Sequence, residues 1–454
     1  MDPTTRHPAY LQFADAWRLM REAQEGEDTI KAAGERYLPM KSGTRAMSNA
    51  DSRALAYAAY KARAEFPELV APTIRGALGV MLAKPAAITL PPGMEEMRER
   101  ATRDGLTLES LHRRIVSELL LVGRYGLLPS VLPPGRPYLA GYSAETIINW
   151  DAPEAALDFV VLDETALVRD PAANTWGEQE RLRELALVEG RYQSRVWVKG
   201  GAGWVLGEWE AAEGRTGPVA AVPFVFIDTN DLTPDPDDVP LYGLAKLAVR
   251  VYRMDADYTH ALHMTSEPTP VAIGVTEEMV RNGTAPKTLG SSVLWQLPEG
   301  GDAKYLEFSG AGLSKQREAI EDAFGRALTY GAQLLADQGA GQSGDAIRLR
   351  LGNQTATLKT LAQNAAAGLE SALRNLAVWL GEDPEAVTVT PHLDFFDEAL
   401  GPADITAIVS GWQAGAYSWP TLFDRLKRGG VIPEGRTEEE EQELILQGGV
   451  DGAL

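Results

Sequence analysis

Two histidines three residues apart, His260 and His263, are the first candidates for chemistry in this 454-residue sequence. On a helix that spacing puts both imidazoles on one face, where a metal ion could be held between them. No third ligand is evident. Glu267 falls at or beyond the helix end, and the H-E-x-x-H pattern of zinc hydrolases is missing. Two surface or interface histidines is the competing reading. Gly339, Gly341 and Gly344 formally match a dinucleotide fingerprint. The motif needs a strand before it, whereas a long helical pattern precedes it here, and no Lys-Ser/Thr follows to make a phosphate loop. A flexible loop between two helices fits these glycines better. Asp235, Asp237 and Asp238 could hold a divalent cation. Counting from Asp235, however, the sixth and twelfth places of a calcium loop hold Pro240 and Lys246 rather than Gly and Glu. An acidic helix start is the simpler account. No G-x-S-x-G accompanies the five histidines, so Ser-His-Asp catalysis has no motif behind it. Arg348 and Arg350, just after the glycine-rich segment, could touch phosphate or form a solvated helix face.

Composition narrows the classes further. Acidic side chains outnumber basic ones 64 to 43, giving a net charge of −21. Tight nucleic-acid binders gain affinity from Lys and Arg displacing counterions, so this balance counts against a DNA clamp. It leaves room for a surface that DNA passes without sticking. There are no cysteines, which excludes disulfides, thiolate metal sites and cysteine nucleophiles. Hydrophobic residues at 44% fit an ordinary globular protein with a sizeable core. No apolar run reaches the roughly 18 residues of a membrane span. The opening MDPTTRHPAYLQFADAW is not expected to be a secretory signal.

The elements that must position these residues follow from periodicity. Helices are predicted over 8–40 and 53–66, with a polar linker at 40–52; Pro67 and Pro72 interrupt the pattern, and a second apolar stretch runs from Leu69 to Leu82. A further helix is predicted over 104–126, with Thr107 as N-cap and a stop at Gly123. From Tyr138 the period changes to two, and strands are expected at 138–150, 157–168, 194–210 and 220–229. The segment VWVKGGAGWVLGEW resembles a hairpin with a Gly-rich turn. A long helix is predicted over 239–265. A Pro- and Gly-rich block follows, with strand-like VLWQL (293–297) and AKYLEF (303–308). Two more long helices are predicted at 313–336 and about 346–380. A short strand at 387–396 and helices at 402–414, 418–428 and 437–446 close the chain. The fold class expected is α+β, mainly α. Two long amphipathic helices flanking a β-containing insertion are hard to bury in one monomer, whereas side-by-side packing in a ring would cover them.

Several segments, in order along nearly the whole chain, resemble a family of tailed-bacteriophage portal proteins. They are PYLAGYSAETIINW (137–150), AVPFVFI (221–227), PLYGLAKLAVRVYRMDADYTHALH (240–263), LPEGGDAKYLEFSG (297–310), GDAIRLR (344–350) and WQAGAYSWPTL (412–422). The resemblance implies a portal-type fold with a wing at 1–231, a stem–clip–stem unit at 232–336 with the clip at about 266–312, a channel loop and long helix at 337–381, and a crown at 382–454. The crown is short for the family. The resemblance also implies a ring of twelve subunits at one vertex of the virion capsid. Terminase, capsid and head–tail adaptor proteins would be its partners, and double-stranded DNA would pass through its channel. Gln338, Gln342, Arg348 and Arg350 would line that channel. The chain would be made in the host cytoplasm, with no membrane, cofactor, metal or catalytic residue involved. A metal-dependent hydrolase using His260 and His263, or another virion structural protein, is the alternative.

Overall fold

The computed structural model describes residues 2–451 except 133–134, 154–155, 202, 216, 267–268, 289–292, 307–311, 336–343, 394, 396–401 and 434. Helix and sheet are mixed, with more than twice as much helix as strand. Helices α1 (Pro8–Glu25), α2 (Glu27–Ala32), α3 (Ser42–Arg45), α4 (Ala50–Arg63) and α5 (Val70–Met81) open the chain, and strand β1 (Ala87–Thr89) and helix α6 (Leu108–Val122) follow. The local chemistry explains their limits. The Asn49 side chain accepts from the Ser52 N–H at 2.8 Å, and Thr107 Oγ1 accepts from the Ser110 N–H at 3.1 Å. Gly123 ends α6 in the left-handed region, φ 78°. A Cβ there would run into the carbonyl of Asp238, so the turn needs glycine twice over.

Strands fill the next hundred residues. They are β2 (Arg124–Leu132), β3 (Arg136–Ser143), β4 (Ile147–Asp151), β5 (Phe159–Asp163), β6 (Ala166–Asp170), β7 (Thr175–Gln179), β8 (Arg181–Val188), β9 (Arg191–Gly200), β10 (Gly203–Leu206), β11 (Glu210–Ala211), β12 (Glu213–Gly214), β13 (Gly217–Pro218) and β14 (Val225–Asp228). One antiparallel sheet runs β14-β2-β3, and another runs β10-β9-β8-β5-β4 with β11 beside β9. The β9–β10 hairpin turns between Gly200 and Gly203, where the sequence predicts it. The segment 104–126 holds α6 from Leu108 and ends it at the expected Gly123 stop, and β2 begins at Arg124 directly after that turn.

The second half holds α7 (Tyr242–Ser266), β15 (Thr269–Ile273), α8 (Glu277–Arg281), β16 (Asp302–Leu306), α9 (Leu313–Leu335), α10 (Gly344–Leu380), β17 (Thr388–Thr390), α11 (Pro402–Gln413), α12 (Trp419–Arg428) and α13 (Glu438–Asp451). Residues 293–297, expected as a strand, are irregular. They have no strand partner, and Trp295 is held by its Nε1–H donating to the Thr288 carbonyl at 2.8 Å.

The core gathers around the second half of α10. This helix packs on α6 and across β14 and β2. Leu358, Leu361, Ala365, Leu369, Leu373, Leu376 and Ala377 are all buried. Gly368 lets the α10 backbone close on Ile227, whose side chain stands where a Cβ would be. Side chains of α10 also tie down distant backbone. The Asn364 amide donates to the Thr229 carbonyl at 2.8 Å, and the Trp379 Nε1–H donates to the Glu213 carbonyl at 3.0 Å. Arg21 of α1 bridges Glu118 of α6 and Glu145, the latter at 2.8 Å. Strand β17 returns the end of α10 to β1, Ala87 pairing with Thr390.

Candidate functional site

Helices α7 and α9 form an antiparallel pair joined at one end by the insertion that carries β15, α8 and β16. Gly243, near the start of α7, sits against the ring of Tyr330, near the end of α9. At ~1.5 Å per residue each helix runs about 35 Å. The two are buried very differently. From Leu244 to Ala256, α7 buries a side chain on nearly every turn against the core; beyond Asp257 none is buried, and Leu262 and Met264 are exposed. In α9 the described side chains buried are Ala323 and Ala327, two alanines one turn apart. Phe324 and Leu328, one position on, are exposed, while Tyr330 packs its ring on Gly243 and stays partly exposed. The sequence predicts α9 as amphipathic with Phe324 and Ala327 on one apolar face. The chain itself covers the alanine edge and leaves the large residues uncovered.

The insertion between the helices goes further. Strands β15 and β16 pair antiparallel, Thr269 with Leu306 through Ile273 with Asp302. None of the described residues from 266 to 312 is buried. Ile273, Val280, Leu294 and Tyr305 are exposed, Leu294 at 82%. A two-stranded sheet with no core of its own is marginal in water. Its stability has to come from whatever it packs against.

His260 and His263 lie on the half-exposed end of α7. The His260 ring meets Tyr60 edge-on at 5.4 Å. Burial lowers the pKa of His260, and Lys41, Arg63 and His263 lower it further, outweighing Asp257. Positive neighbours that disfavour a protonated imidazole also disfavour a metal cation. Among the described residues no group of three or more His, Cys, Asp or Glu converges on a metal site. The acidic loop is satisfied locally. Asp237 accepts from the Asn230 N–H at 2.9 Å, Asp238 from the Val239 N–H at 2.8 Å, and Asp235 from the Trp150 indole at 3.4 Å. They precede α7, which starts at Tyr242, rather than forming its first turn.

Gln338, Gln342, Gly339 and Gly341 lie outside the described residues, and Gly344 begins α10. Arg348 and Arg350 fall in the first turns of that helix. Among the described residues no helix is long and apolar enough to cross a membrane.

Sequence spacing gave no warning of one polar cluster at the base of α7. Arg124 and Asp228, cross-strand partners in β2 and β14, are both buried. The guanidinium lies between the rings of Trp150 and Phe226, its carbon 4.6 Å from each centroid. His7 stacks on Trp150 at 4.1 Å. The signal was there in principle: a strand opening on arginine while its partner ends on aspartate.

Comparison with known proteins gives one family match. A domain of unknown function, DUF4055, matches residues 240–380, a stretch that runs from the start of α7 to the end of α10. No curated protein matches the chain. Solved structures similar to it include the neck of a native gene transfer agent particle computed with C12 symmetry, at 15% identity over 80% of this chain and 89% of that one, TM-score 0.39. The virion of a native gene transfer agent particle gives 15% identity over 80% and 90%, TM-score 0.39. The neck of an empty particle computed with C6 symmetry gives 16% over 81% and 91%, TM-score 0.39.

Proposed function

We propose that this chain is a portal protein, the subunit of a ring of about twelve copies that conducts DNA at one vertex of a tailed-phage capsid. The observation that carries the reading is the uncovered helix pair with its coreless insertion. Phe324 and Leu328 on α9, with every described residue of 266–312 unburied, need neighbours to complete them. The ordered sequence segments from 137 to 422 point to the same family. In this reading residues 1–231 form the wing, α7 and α9 the stem, 266–312 the clip that docks head–tail adaptors, 337–345 the channel loop, and 382–454 the crown. Terminase docks on the assembled ring. The acidic balance suits a conduit, because each strong phosphate contact would slow translocation.

The mass and symmetry of the purified protein test this, by light scattering and electron microscopy. A ring of about a dozen subunits with a central hole supports the portal. A compact monomer carrying stoichiometric metal, lost on changing His260 and His263, would replace it with the hydrolase. Converting Arg348 and Arg350 together to alanine is expected to impair DNA packaging or retention more than ring assembly. Normal packaging and retention in that variant would remove the two arginines from the channel.

A further inference from the structure

The Arg124–Asp228 pair is buried but not closed. Arg124 Nη1 and Asp228 Oδ1 stand 3.7 Å apart, beyond hydrogen-bond range. Arg124 Nη2 donates to the Pro234 carbonyl, but Arg124 Nε and Nη1, both Asp228 carboxylate oxygens and Thr229 Oγ1 are buried without a hydrogen-bond partner. Arg124 is 1% exposed and Asp228 0%. Orphaned polar atoms are costly in a core, and a buried ion pair holds only when its remaining donors and acceptors are satisfied. Here the orphans are complementary: N–H donors on one side, carboxylate and hydroxyl oxygens on the other.

We infer that the Arg124–Asp228–Thr229 cluster is a buried hydration site, in which ordered water accepts from the guanidinium and donates to the Asp228 carboxylate. At a 3.7 Å separation no water fits in line between the two groups, so it would sit beside the pair and bond to both at an acute angle, with the other orphaned polar atoms as further partners. A cation is the weaker occupant. Arg124 already supplies the positive charge, and Asp237 and Asp238 spend carboxylate oxygens on backbone N–H groups. Burial pushes the Asp228 carboxyl up, Arg124 opposes this, and Asp237, Asp231 and Asp235 add to it. A bridging donor would relieve that carboxylate. The site also joins elements. The Asn364 amide of α10 reaches the carbonyls of Asp228 and Thr229, while Pro234 and Asp235 belong to the loop that feeds α7. The water therefore sits where α10 and the entry to α7 meet the sheet.

A structure of the full chain at about 2 Å or better tests this. The expected result is a solvent peak within ~3.2 Å of both Arg124 Nη1 and an Asp228 carboxylate oxygen. In Asp228→Asn, which keeps an oxygen and gains a donor, the peak should remain; in Asp228→Leu it should vanish. Guanidinium and carboxylate closing directly to ~2.7–2.9 Å would overturn the inference. So would a dry gap, or an anomalous signal there after soaking in manganese. If neither variant folds, the native peak alone decides.

Discussion

Helices α9 and α10 lie next to each other in sequence and are both long, yet they owe their order to different sources. In α10 the positions from Leu358 to Ala377 meet α6, β2 and β14, and Leu369, Leu373 and Leu376 are fully buried. Among the described side chains of α9 two alanines are buried, while Phe324 and Leu328 face solvent. An isolated helix of this length is marginal, and most helical stability in proteins comes from packing one face. Thus the part of α10 from Leu358 on is packed by the chain itself, whereas in the proposed ring neighbouring copies would complete α9.

The largest effect expected comes from cutting into α10. Leu373→Ala removes a side chain with 0% exposure, and such truncations cost about 2–5 kcal/mol. Chemical denaturation of the unassembled chain should show that loss. The matched change Leu328→Ala in α9, at 48% exposure, should stay within about 0.5 kcal/mol in the same assay. Leu328→Glu should leave the monomer's melt unchanged and remove the ring. Equal losses for Leu373→Ala and Leu328→Ala would break the distinction between the two helices.

Acid should probe the same division from the core side. His112 on α6 is 4% exposed, and burial alone pushes it down to about 4 from 6.5. It is neutral in the fold, whereas the unfolded chain protonates it below about 6.5. The unfolded state then binds more protons, so stability is complete above 6.5 and falls as pH drops toward 4. The full loss is roughly 3 kcal/mol. Replacing His112 with Leu should flatten that part of the stability curve, read by denaturant titration at pH 4.5 and 7. An unchanged slope would mean that other groups carry the acid sensitivity.

Much of this division was legible in the sequence. The Thr107 cap, the Gly123 stop, the β9–β10 turn and the three long helices follow from local rules, and the structure places each near its expected bounds. The misses have physical causes. Strand β8 carries Arg181, Arg183 and Glu184, charges that mask a strand pattern. They are admitted because Glu164 meets both arginines and Arg195 grips Glu184. The β1–β17 pair joins segments whose neighbourhood no local pattern encodes. Of the site, the acidic residues 235–238 stood out in the sequence, but Arg124, which faces this cluster, lies far earlier in the chain, in another strand. Within the chain α9 packs on α7, α5 and α10, and what would cover its remaining face, with Phe324 and Leu328, lies outside these contacts.

The smallest effect expected lies on the exposed face of α9. Lys315 meets Glu318 at 2.7 Å and Arg317 meets Glu321 at 3.1 Å, all four more than half exposed. Such i,i+3 and i,i+4 pairs contribute about 0.2–0.5 kcal/mol each and are screened by salt. Glu318→Gln with Glu321→Gln should therefore barely move the monomer's stability, and 1 M salt should erase even that difference. In the ring the same charges would lie near a neighbour, where water is partly excluded and screening is weaker. The salt dependence of ring dissociation, compared between wild type and the double variant, separates the two settings. A salt-sensitive change in the ring with none in the monomer would place this face at the subunit boundary. Identical behaviour in both would leave the acidic and basic stripe of α9 in solvent and assign the contact to Phe324 and Leu328 alone.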